Sequence, residues 1–377
     1  MSLTAVTKIP APAVPGRTAT PYLVLNIEEA VGRYRTVEAQ FGPRAVHYAV
    51  KANPHPELVA ALVRAGSRFD VASAGEVDLC LDAGAAPTDL IFSNPVKRRY
   101  DIAFAYTRGV RRFVADAASE LHKLAAAAPG ASVLMRLATS GAGADLPLSV
   151  KFGGPEADMP GLLQLADALG LEAAGVAFHV GSQQRDPGRW ELPIAQAARI
   201  FAAARKAGLR PYLLDIGGGL PAHHEGVCPG LPTYADIITA DLDRHFGGER
   251  PEVIVEPGRG IVGDAGTLVA EVIGVTWRYG RRWVTVDAGV FSGLVEALGE
   301  EIRYRLSTDR DGDPSGPAVL AGPTCDSIDL LYEKTPVRLP LTLAEGDRVL
   351  FHSAGAYTST CSTVGFNGFP GLPTVLA

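Results

Sequence analysis

Short apolar runs alternate with longer segments of helical character through the first two thirds of the chain. Each run ends in a polar residue, and an Ala- and Leu-rich segment follows it, as in 160–169 and 193–207, where apolar residues recur at helical spacing. We count eight such runs, which end near Lys51, Ser73, Asn94, Asp116, Arg136, His179, Asp215 and Glu256. Eight strand and helix units in succession predict an α/β fold of the TIM type, a (β/α)8 barrel.

The pattern changes after residue 260. Five strand-like runs separated by turn residues follow, with one helix-like segment at 293–298. These runs occupy 267–275, 283–287, 318–320, 337–341 and 348–352. We therefore predict a barrel domain at 23–259 and a second, mostly β domain at 260–377. The N-terminal segment 1–22 precedes the first barrel strand, so we expect it to pack on the β domain.

Composition narrows the class of protein. The chain has 377 residues, of which 47% are hydrophobic and 20% are charged, as in a soluble globular protein. The first 17 residues contain no apolar core of the kind that a signal peptide carries, and no run approaches membrane-spanning length, so we expect a cytoplasmic protein with no membrane partner. The net charge of −6 without long basic runs argues against a nucleic-acid partner and is compatible with a cationic substrate.

Four cysteines are spread along the chain at Cys80, Cys228, Cys325 and Cys361. They form neither a Cys-x-x-Cys pair nor a dense framework, so the sequence predicts no disulfides and no metal site. A single cysteine is more often a small buried apolar residue than a nucleophile.

The strand ends carry residues that suit one kind of chemistry. Lys51 ends an apolar run, where its flanks predict a partly desolvated amine fit for a Schiff base, although a surface lysine closing a strand is an equal alternative. Three glycines at 217–219 leave backbone N–H groups that suit a phosphate, and Arg259 is a charged donor for the same group. Glu256 supplies a carboxylate for a ring nitrogen. His179 is either an aromatic plate, an acid or base, or a satisfied core residue. Together these residues predict a pyridoxal 5'-phosphate site.

Eight motifs then carry a family resemblance over nearly the whole chain, from about residue 21 to 370. The chain resembles the pyridoxal-phosphate decarboxylases of basic amino acids, and within them the barrel-type ornithine decarboxylases. The motifs are Tyr-Ala-Val-Lys-Ala-Asn at 48–53, Phe-Asp-Val-Ala-Ser at 69–73, Phe-Ser-Asn-Pro-Val-Lys at 92–97, Phe-His-Val-Gly-Ser at 178–182, Asp-Ile-Gly-Gly-Gly at 215–219, Glu-Pro-Gly-Arg at 256–259, Gly-Pro-Thr-Cys-Asp at 322–326 and Gly-Ala-Tyr-Thr at 355–358.

The resemblance implies an alanine-racemase-like fold and an obligate head-to-tail homodimer whose β domain completes the partner's active site. Lys51 would form the Schiff base with the cofactor, His179 would stack on its ring, and Glu256 would keep the ring nitrogen protonated. The phosphate would be bound by Ser182, Gly217, Gly218, Gly219, Arg259 and Tyr357. Asp70 and Arg136 match supporting positions around the lysine and the ring.

Two further residues would come from the partner subunit. The resemblance implies that Cys325 protonates the carbon from which CO2 leaves, and that Asp326 binds the distal ammonium of the substrate.

An acidic residue on a short helical turn of the β domain also contributes to substrate choice in this family. Glu300 is the best match, with Glu301 one position away.

The sequence therefore predicts a decarboxylase that converts L-ornithine to putrescine. A lysine decarboxylase, a mixed lysine/ornithine decarboxylase and an enzyme acting on a related cationic amino acid are the nearest alternatives. A regulatory protein that binds the cofactor without turnover and a racemase are alternatives from other classes. Diaminopimelate decarboxylases carry Cys-Glu-Ser where this chain has Cys-Asp-Ser at 325–327, which disfavours that activity.

Overall fold

The computed structural model describes residues 19–377, which divide into two compact units. The larger unit comprises Ile27–Ala265 and Glu301–Arg303, and the smaller unit comprises residues 19–26, Gly266–Glu300 and Tyr304–Ala377. Most of the predicted N-terminal segment, residues 1–18, lies outside the described residues. Within 19–377, no helix has both the length and the hydropathy that a membrane crossing requires.

The strands of the larger unit follow the predicted order along the chain. The first strand of the protein, β1 (Tyr22–Leu25), belongs to the smaller unit. The strands of the larger unit are β2 (His47–Ala49), β3 (Arg68–Val71), β4 (Leu90–Phe92), β5 (Arg112–Ala115), β6 (Ser132–Arg136), β7 (Ala144–Leu146), β8 (Glu172–Ala177), β9 (Ser182–Gln184), β10 (Leu213–Asp215) and β11 (Glu252–Ile254).

Helices separate most of these strands. They are α1 (Ile27–Phe41), α2 (Pro56–Ala65), α3 (Ala74–Asp82), α4 (Arg99–Thr107), α5 (Ala118–Ala127), α6 (Met159–Ala168), α7 (Glu191–Lys206), α8 (Leu231–Phe246) and α9 (Arg259–Val262). Local sequence sets several of their ends. Pro56 stands at the start of α2 and Gly66, with a φ of 92°, caps its end, while the Ser73 hydroxyl accepts the N–H of Glu76 at the start of α3.

Eight strands form one parallel sheet in the order β11-β10-β8-β6-β5-β4-β3-β2, and a parallel bridge between Val46 and Val255 joins its two edges. The predicted barrel is confirmed. The interior is filled by a fully buried apolar cluster, since alternate residues of each strand point inward. Its members are Ile91, Val114, Leu134, Ala174, Ala177, Leu213 and Ile254. The outlying strands β7 and β9 pair with each other as an antiparallel ribbon.

The smaller unit is mostly β, as predicted. It adds β12 (Gly266–Arg278), β13 (Arg281–Val286), β14 (Leu306–Thr308), β15 (Ser315–Ala321), β16 (Leu330–Pro340), β17 (Arg348–His352) and β18 (Thr374–Leu376). Five strands of its sheet coincide with the predicted runs, whereas β14 and β18, with three residues each, were not predicted. The predicted helical segment 293–298 is a 3-10 turn at Val295–Glu300.

The unit boundaries differ in detail from the predicted ones. β1 pairs with β12 and β18 in the sheet of the smaller unit, so residues 23–25 are not part of the barrel. At the other junction, Arg259–Val262 forms α9 within the larger unit, which ends at Ala265 instead of 259.

Candidate active site

The carboxyl ends of the barrel strands surround a cavity of about 610 Å³. Side chains at this end of a (β/α)8 barrel form the active site in enzymes of the fold. Residues from six different strand ends line the cavity, together with the loop 147–152 that follows β7. The six are Lys51, Ala72, Ser93, Arg136, His179 and Glu256.

Lys51 lies just past the end of β2, in the one-turn 3-10 helix Val50–Ala52. Its Nζ is 2.5 Å from Oδ2 of Asp70, a buried carboxylate on the neighbouring strand β3. The side chain of Lys51 is 46% exposed and reaches out of the strand end into the cavity, so it is partly desolvated, as its apolar flanks predict. Asp70 therefore provides a fixed anchor for an otherwise accessible amine.

Glu256 follows β11 and is buried at the cavity wall. Its carboxyl shares a hydrogen bond with the side chain of Asp215 and accepts one from the hydroxyl of Ser93. Burial raises the pKa of both carboxyls. The negative charge of Asp70 raises the pKa of Glu256 further, and the charge of Glu256 raises that of Asp215. Two buried carboxyls in contact retain a proton between them more readily than separate ones. A basic ring nitrogen beside Glu256 would meet an acidic group that is held in place by two partners.

The glycines at 217–219 form a compact turn after β10. Gly217 and Gly219 have φ angles of 68° and 113°, which L side chains rarely adopt. A Cβ on Gly218 would lie 2.6 Å from the carbonyl oxygen of Glu256, so that position also admits only glycine. The N–H of Gly217 donates to Oδ1 of Asp215 at 2.8 Å, which ties the turn to the acid pair. A backbone turn of this kind is suited to an anion.

Arg259 extends the anion-binding character of this region. Its guanidinium is buried and donates to Oγ of Ser182 from two nitrogens. The distances from Nε and Nη2 to that oxygen are 3.3 and 3.2 Å. Ser182 begins β9, so the β7-β9 ribbon brings it to the residues that follow β11. A guanidinium and a hydroxyl in contact are both donors to a phosphate oxygen.

His179 follows β8 and carries a neutral ring. Its Nδ1 accepts the N–H of Gly181 at 2.9 Å, so the ring proton resides on Nε2. Burial, together with the positive charges of Arg136 and Lys51, lowers the pKa of His179 to about 3. A histidine that stays neutral across the physiological range is suited to stacking on a ring and is unsuited to proton transfer. Of the sequence-level possibilities, the structure favours the aromatic plate.

Three residues of this region were absent from the predicted site. Ser93 and Asp215 hold Glu256. Asp215 stood at a predicted strand end and Ser93 stood one residue before another, so their position was a usable signal. Glu76 is the third. It lies near Asp70 and Lys51, it accepts the N–H of Ala72 at 2.6 Å, and burial raises its pKa to about 7. Nothing in the sequence around Glu76 distinguishes it from a surface acid in the first turn of a helix.

The remaining predicted residues lie in the smaller unit. Tyr357 has a φ of 58°, and Cys325 and Asp326 are exposed on the turn between β15 and β16.

Glu300 has a structural role within this unit. Its carboxylate accepts the N–H groups of Glu333, Lys334 and Thr335 at 2.8, 2.5 and 3.2 Å. These bonds hold the backbone of β16 against the 3-10 turn that ends at Glu300.

Comparison with known families gives a match over most of the larger unit. Residues 27–263 fit the family described as pyridoxal-dependent decarboxylase, pyridoxal binding domain. Among curated proteins, the lysine/ornithine decarboxylase of Selenomonas ruminantium is 37% identical over 363 residues, which is 96% of this chain and 90% of that protein.

Solved structures agree with this match over both units. The lysine/ornithine decarboxylase of Vibrio vulnificus complexed with cadaverine is 31% identical, with a TM-score of 0.86 and coverage of 96% of this chain and 95% of that one. The arginine decarboxylase of Paramecium bursaria Chlorella virus bound to agmatine is 29% identical, with a TM-score of 0.87 and coverage of 96% and 98%.

Proposed function

Since this chain belongs to the pyridoxal-dependent decarboxylases that act on basic amino acids, we propose that its substrate is L-ornithine and its products are putrescine and CO2. The observation that carries the proposal is the placement of Lys51, paired with Asp70, in one cavity with the buried acid Glu256. A covalent anchor for an aldehyde and an acid for a ring nitrogen are what decarboxylation with this cofactor demands.

The residues of the larger unit fit pyridoxal 5'-phosphate part by part. Lys51 would hold the aldehyde carbon. Gly217, Gly218 and Gly219 form a turn that no Cβ fits, and the phosphate would lie against it with Arg259 and Ser182 as donors. The cofactor, when bound, accepts the electron pair that departing CO2 leaves behind. Arg136 lines the same cavity, and its charge, which already acts on His179, would lie near the ring.

Glu256 and its two neighbours would hold a proton at the ring nitrogen of the cofactor. Within the acid pair, the hydrogen bond between the two side chains raises the pKa of Asp215 and lowers that of Glu256, so Asp215 retains the shared proton and Glu256 would carry the negative charge that favours a protonated ring nitrogen. Ser93 fixes the orientation of the Glu256 carboxyl, so that one oxygen faces a constant partner. His179 stays neutral, and it would cover one face of the ring without competing for that proton.

Residues of the smaller unit complete the proposed reaction from a second copy of the chain. In a head-to-tail homodimer, the partner's turn 322–329 would bring Cys325 and Asp326 to the cavity. Both are exposed, as residues that serve another subunit must be. Cys325 would give a proton to the carbon that loses CO2, and Asp326 would pair with the distal ammonium of the substrate. Tyr357 would be a further donor to the phosphate.

Lysine, or a mixture of lysine and ornithine, is a second candidate substrate. It is favoured by the names of the Selenomonas and Vibrio proteins, which are both lysine/ornithine decarboxylases. The two substrates differ by one methylene, which a pocket distinguishes by about 1 to 3 kcal/mol. Glu300 reaches one methylene further than an aspartate would, and its carboxylate is shared with the backbone of β16. We keep Glu300 as a proposed contact for the distal ammonium.

The direct test is CO2 release by the purified protein supplied with pyridoxal phosphate. L-Ornithine, L-lysine, L-arginine and meso-diaminopimelate are given separately, and the Lys51→Ala variant is the matched control. We expect the highest kcat/KM for ornithine, with no release by the variant. A higher kcat/KM for lysine would transfer the assignment to that substrate. Binding of the cofactor without CO2 release from any of the four, or racemisation in a chiral analysis, would overturn decarboxylation.

A further inference from the structure

The side chain of Asn367 lies against Cys325 in the smaller unit. Its Oδ1 accepts the backbone N–H of Cys325 at 3.2 Å and lies 3.5 Å from Sγ of the same residue, where it accepts the S–H. One amide oxygen thus contacts two atoms of Cys325, although the two residues are 42 positions apart along the chain. The pair lies outside the barrel residues described above.

Asn367 is held in an uncommon backbone conformation. Its φ is 49°, in the left-handed region that Asn tolerates better than most side chains. The turn around it is closed by the N–H of Gly365 on the carbonyl of Phe369 at 2.8 Å. The neighbouring ring of Phe366 stacks on Phe291 with centroids 4.1 Å apart. The amide is therefore presented by a turn that is packed on one side and hydrogen-bonded on the other.

The turn that carries Cys325 is fixed independently by a buried carboxylate. Asp329 accepts the N–H and the hydroxyl of Thr324 at 3.0 and 2.8 Å, and it accepts the N–H of Val290 at 2.8 Å. These bonds define the backbone before Cys325 but reach no atom of the thiol. The Asn367 side chain, in contrast, accepts a hydrogen bond from the sulfur itself.

We propose that Asn367 is a positioning residue that sets where the Cys325 thiol delivers its proton. This inference rests on the proposed function. In that reaction the S–H bond breaks as a C–H bond forms at the substrate carbon that lost CO2, which leaves a thiolate that solvent reprotonates. A misplaced thiol lets the proton reach a cofactor carbon instead. The amino nitrogen then stays with the cofactor, and water releases the substrate carbons as an aldehyde.

The amide also affects the thiol before any reaction. The amide oxygen lies 3.5 Å from Sγ and occupies one side of the sulfur, which an alkylating agent must reach directly. Removal of the amide should therefore make Cys325 more reactive even when no substrate is present. This gives the inference a readout that is separate from turnover.

The test uses full-length protein with its cofactor and the variants Asn367→Gly and Asn367→Asp. Glycine removes the amide while keeping the left-handed backbone, and aspartate keeps an oxygen at the same atom. Tyr279→Gly is the matched control, because Tyr279 also has a positive φ of 52° and lies fully exposed on a hairpin. The measured quantities are the rate of Cys325 alkylation by iodoacetamide, read peptide by peptide, and the ratio of aldehyde to amine product.

We expect Asn367→Gly to raise both the alkylation rate and the aldehyde fraction about tenfold, since a misplaced general acid loses part of its 10² to 10⁴-fold effect. Asn367→Asp should keep the aldehyde fraction at the wild-type level, and Tyr279→Gly should match the wild type in both measurements. If the wild type releases CO2 but Asn367→Gly shows an unchanged alkylation rate and an unchanged product ratio, the inference is overturned. Absence of CO2 release by the wild type would instead contradict the proposed function.

Discussion

Lys51 Nζ lies 2.5 Å from Oδ2 of Asp70, and the two residues come from the ends of adjacent parallel strands. The pair joins a half-exposed amine to a buried carboxylate, so the lysine is held while its nitrogen remains accessible from the cavity. This geometry suits an amine that must form and release a covalent bond with a small aldehyde.

Lys51→Ala should abolish the visible absorption band of the cofactor imine and lower CO2 release by about 10³-fold or more, because the amine that would form the imine is removed. Absorption spectroscopy and a CO2 assay measure the two effects. Lys206→Ala, an exposed lysine at the end of α7, should leave both unchanged. A persistent imine band in Lys51→Ala would assign the anchor to a different lysine.

Glu256→Gln should lower kcat/KM by about 10²-fold while the imine band remains, because an amide cannot exchange a proton with the ring nitrogen as a carboxyl does. Ser93→Ala removes one hydrogen bond to the same carboxyl and should cost less than about tenfold. Steady-state kinetics with ornithine compares the two variants. Equal losses in both would mean that the orientation of Glu256, and not its proton, limits the reaction.

Gly218→Ala should weaken binding of pyridoxal phosphate by about tenfold or more, because the new Cβ would lie 2.6 Å from the Glu256 carbonyl and displace the glycine turn. Gly161→Ala is the matched control. That glycine lies in α6 with nothing within 4 Å of the added methyl, so affinity should be unchanged. Fluorescence titration of the apoprotein gives both dissociation constants, and equal values would exclude a phosphate at this turn.

Glu300→Gln should raise the KM for ornithine about tenfold with little change in stability, because the amide oxygen still accepts the N–H groups of β16 but carries no charge for an ammonium. Glu300→Ala should also lower the free energy of unfolding by about 1 to 3 kcal/mol, since those N–H groups lose their acceptor. Kinetics and urea unfolding separate the two roles. An unchanged KM in Glu300→Gln would leave Glu300 with the structural role alone.

His47 should make stability fall as the pH is lowered. Burial depresses its pKa from 6.5 to about 3 in the folded protein, so between these values the unfolded chain binds a proton that the folded chain does not. The free energy of unfolding then decreases by about 1.4 kcal/mol per pH unit below pH 6.5. In His47→Leu, the loss between pH 7 and pH 5 should be smaller than in the wild type by about 2 kcal/mol. Urea unfolding at both pH values tests this, and identical losses would contradict it.

The alternation of apolar runs and helical segments determined the barrel. The barrel strands are short and mostly buried, so they appear in the sequence as apolar runs, and a polar residue marks where each strand opens into the cavity. The same periodicity located the helices α6 and α7 to within two residues. Lys51, His179 and Glu256 were found because each stands immediately after such a run and therefore faces the same end of the barrel.

The tertiary structure decided how those residues act on one another. The contact of Asp215 with Glu256 joins residues 41 positions apart, and that of Ser93 with Glu256 spans 163. Periodicity reports which face of an element is buried, but it does not report which buried side chains meet. Glu76 and Asn367 carried no sequence signal for this reason. The exposure of Lys51 and the use of Glu300 by β16 likewise depend on packing, because burial and hydrogen bonding are properties of the folded chain and not of its residue order.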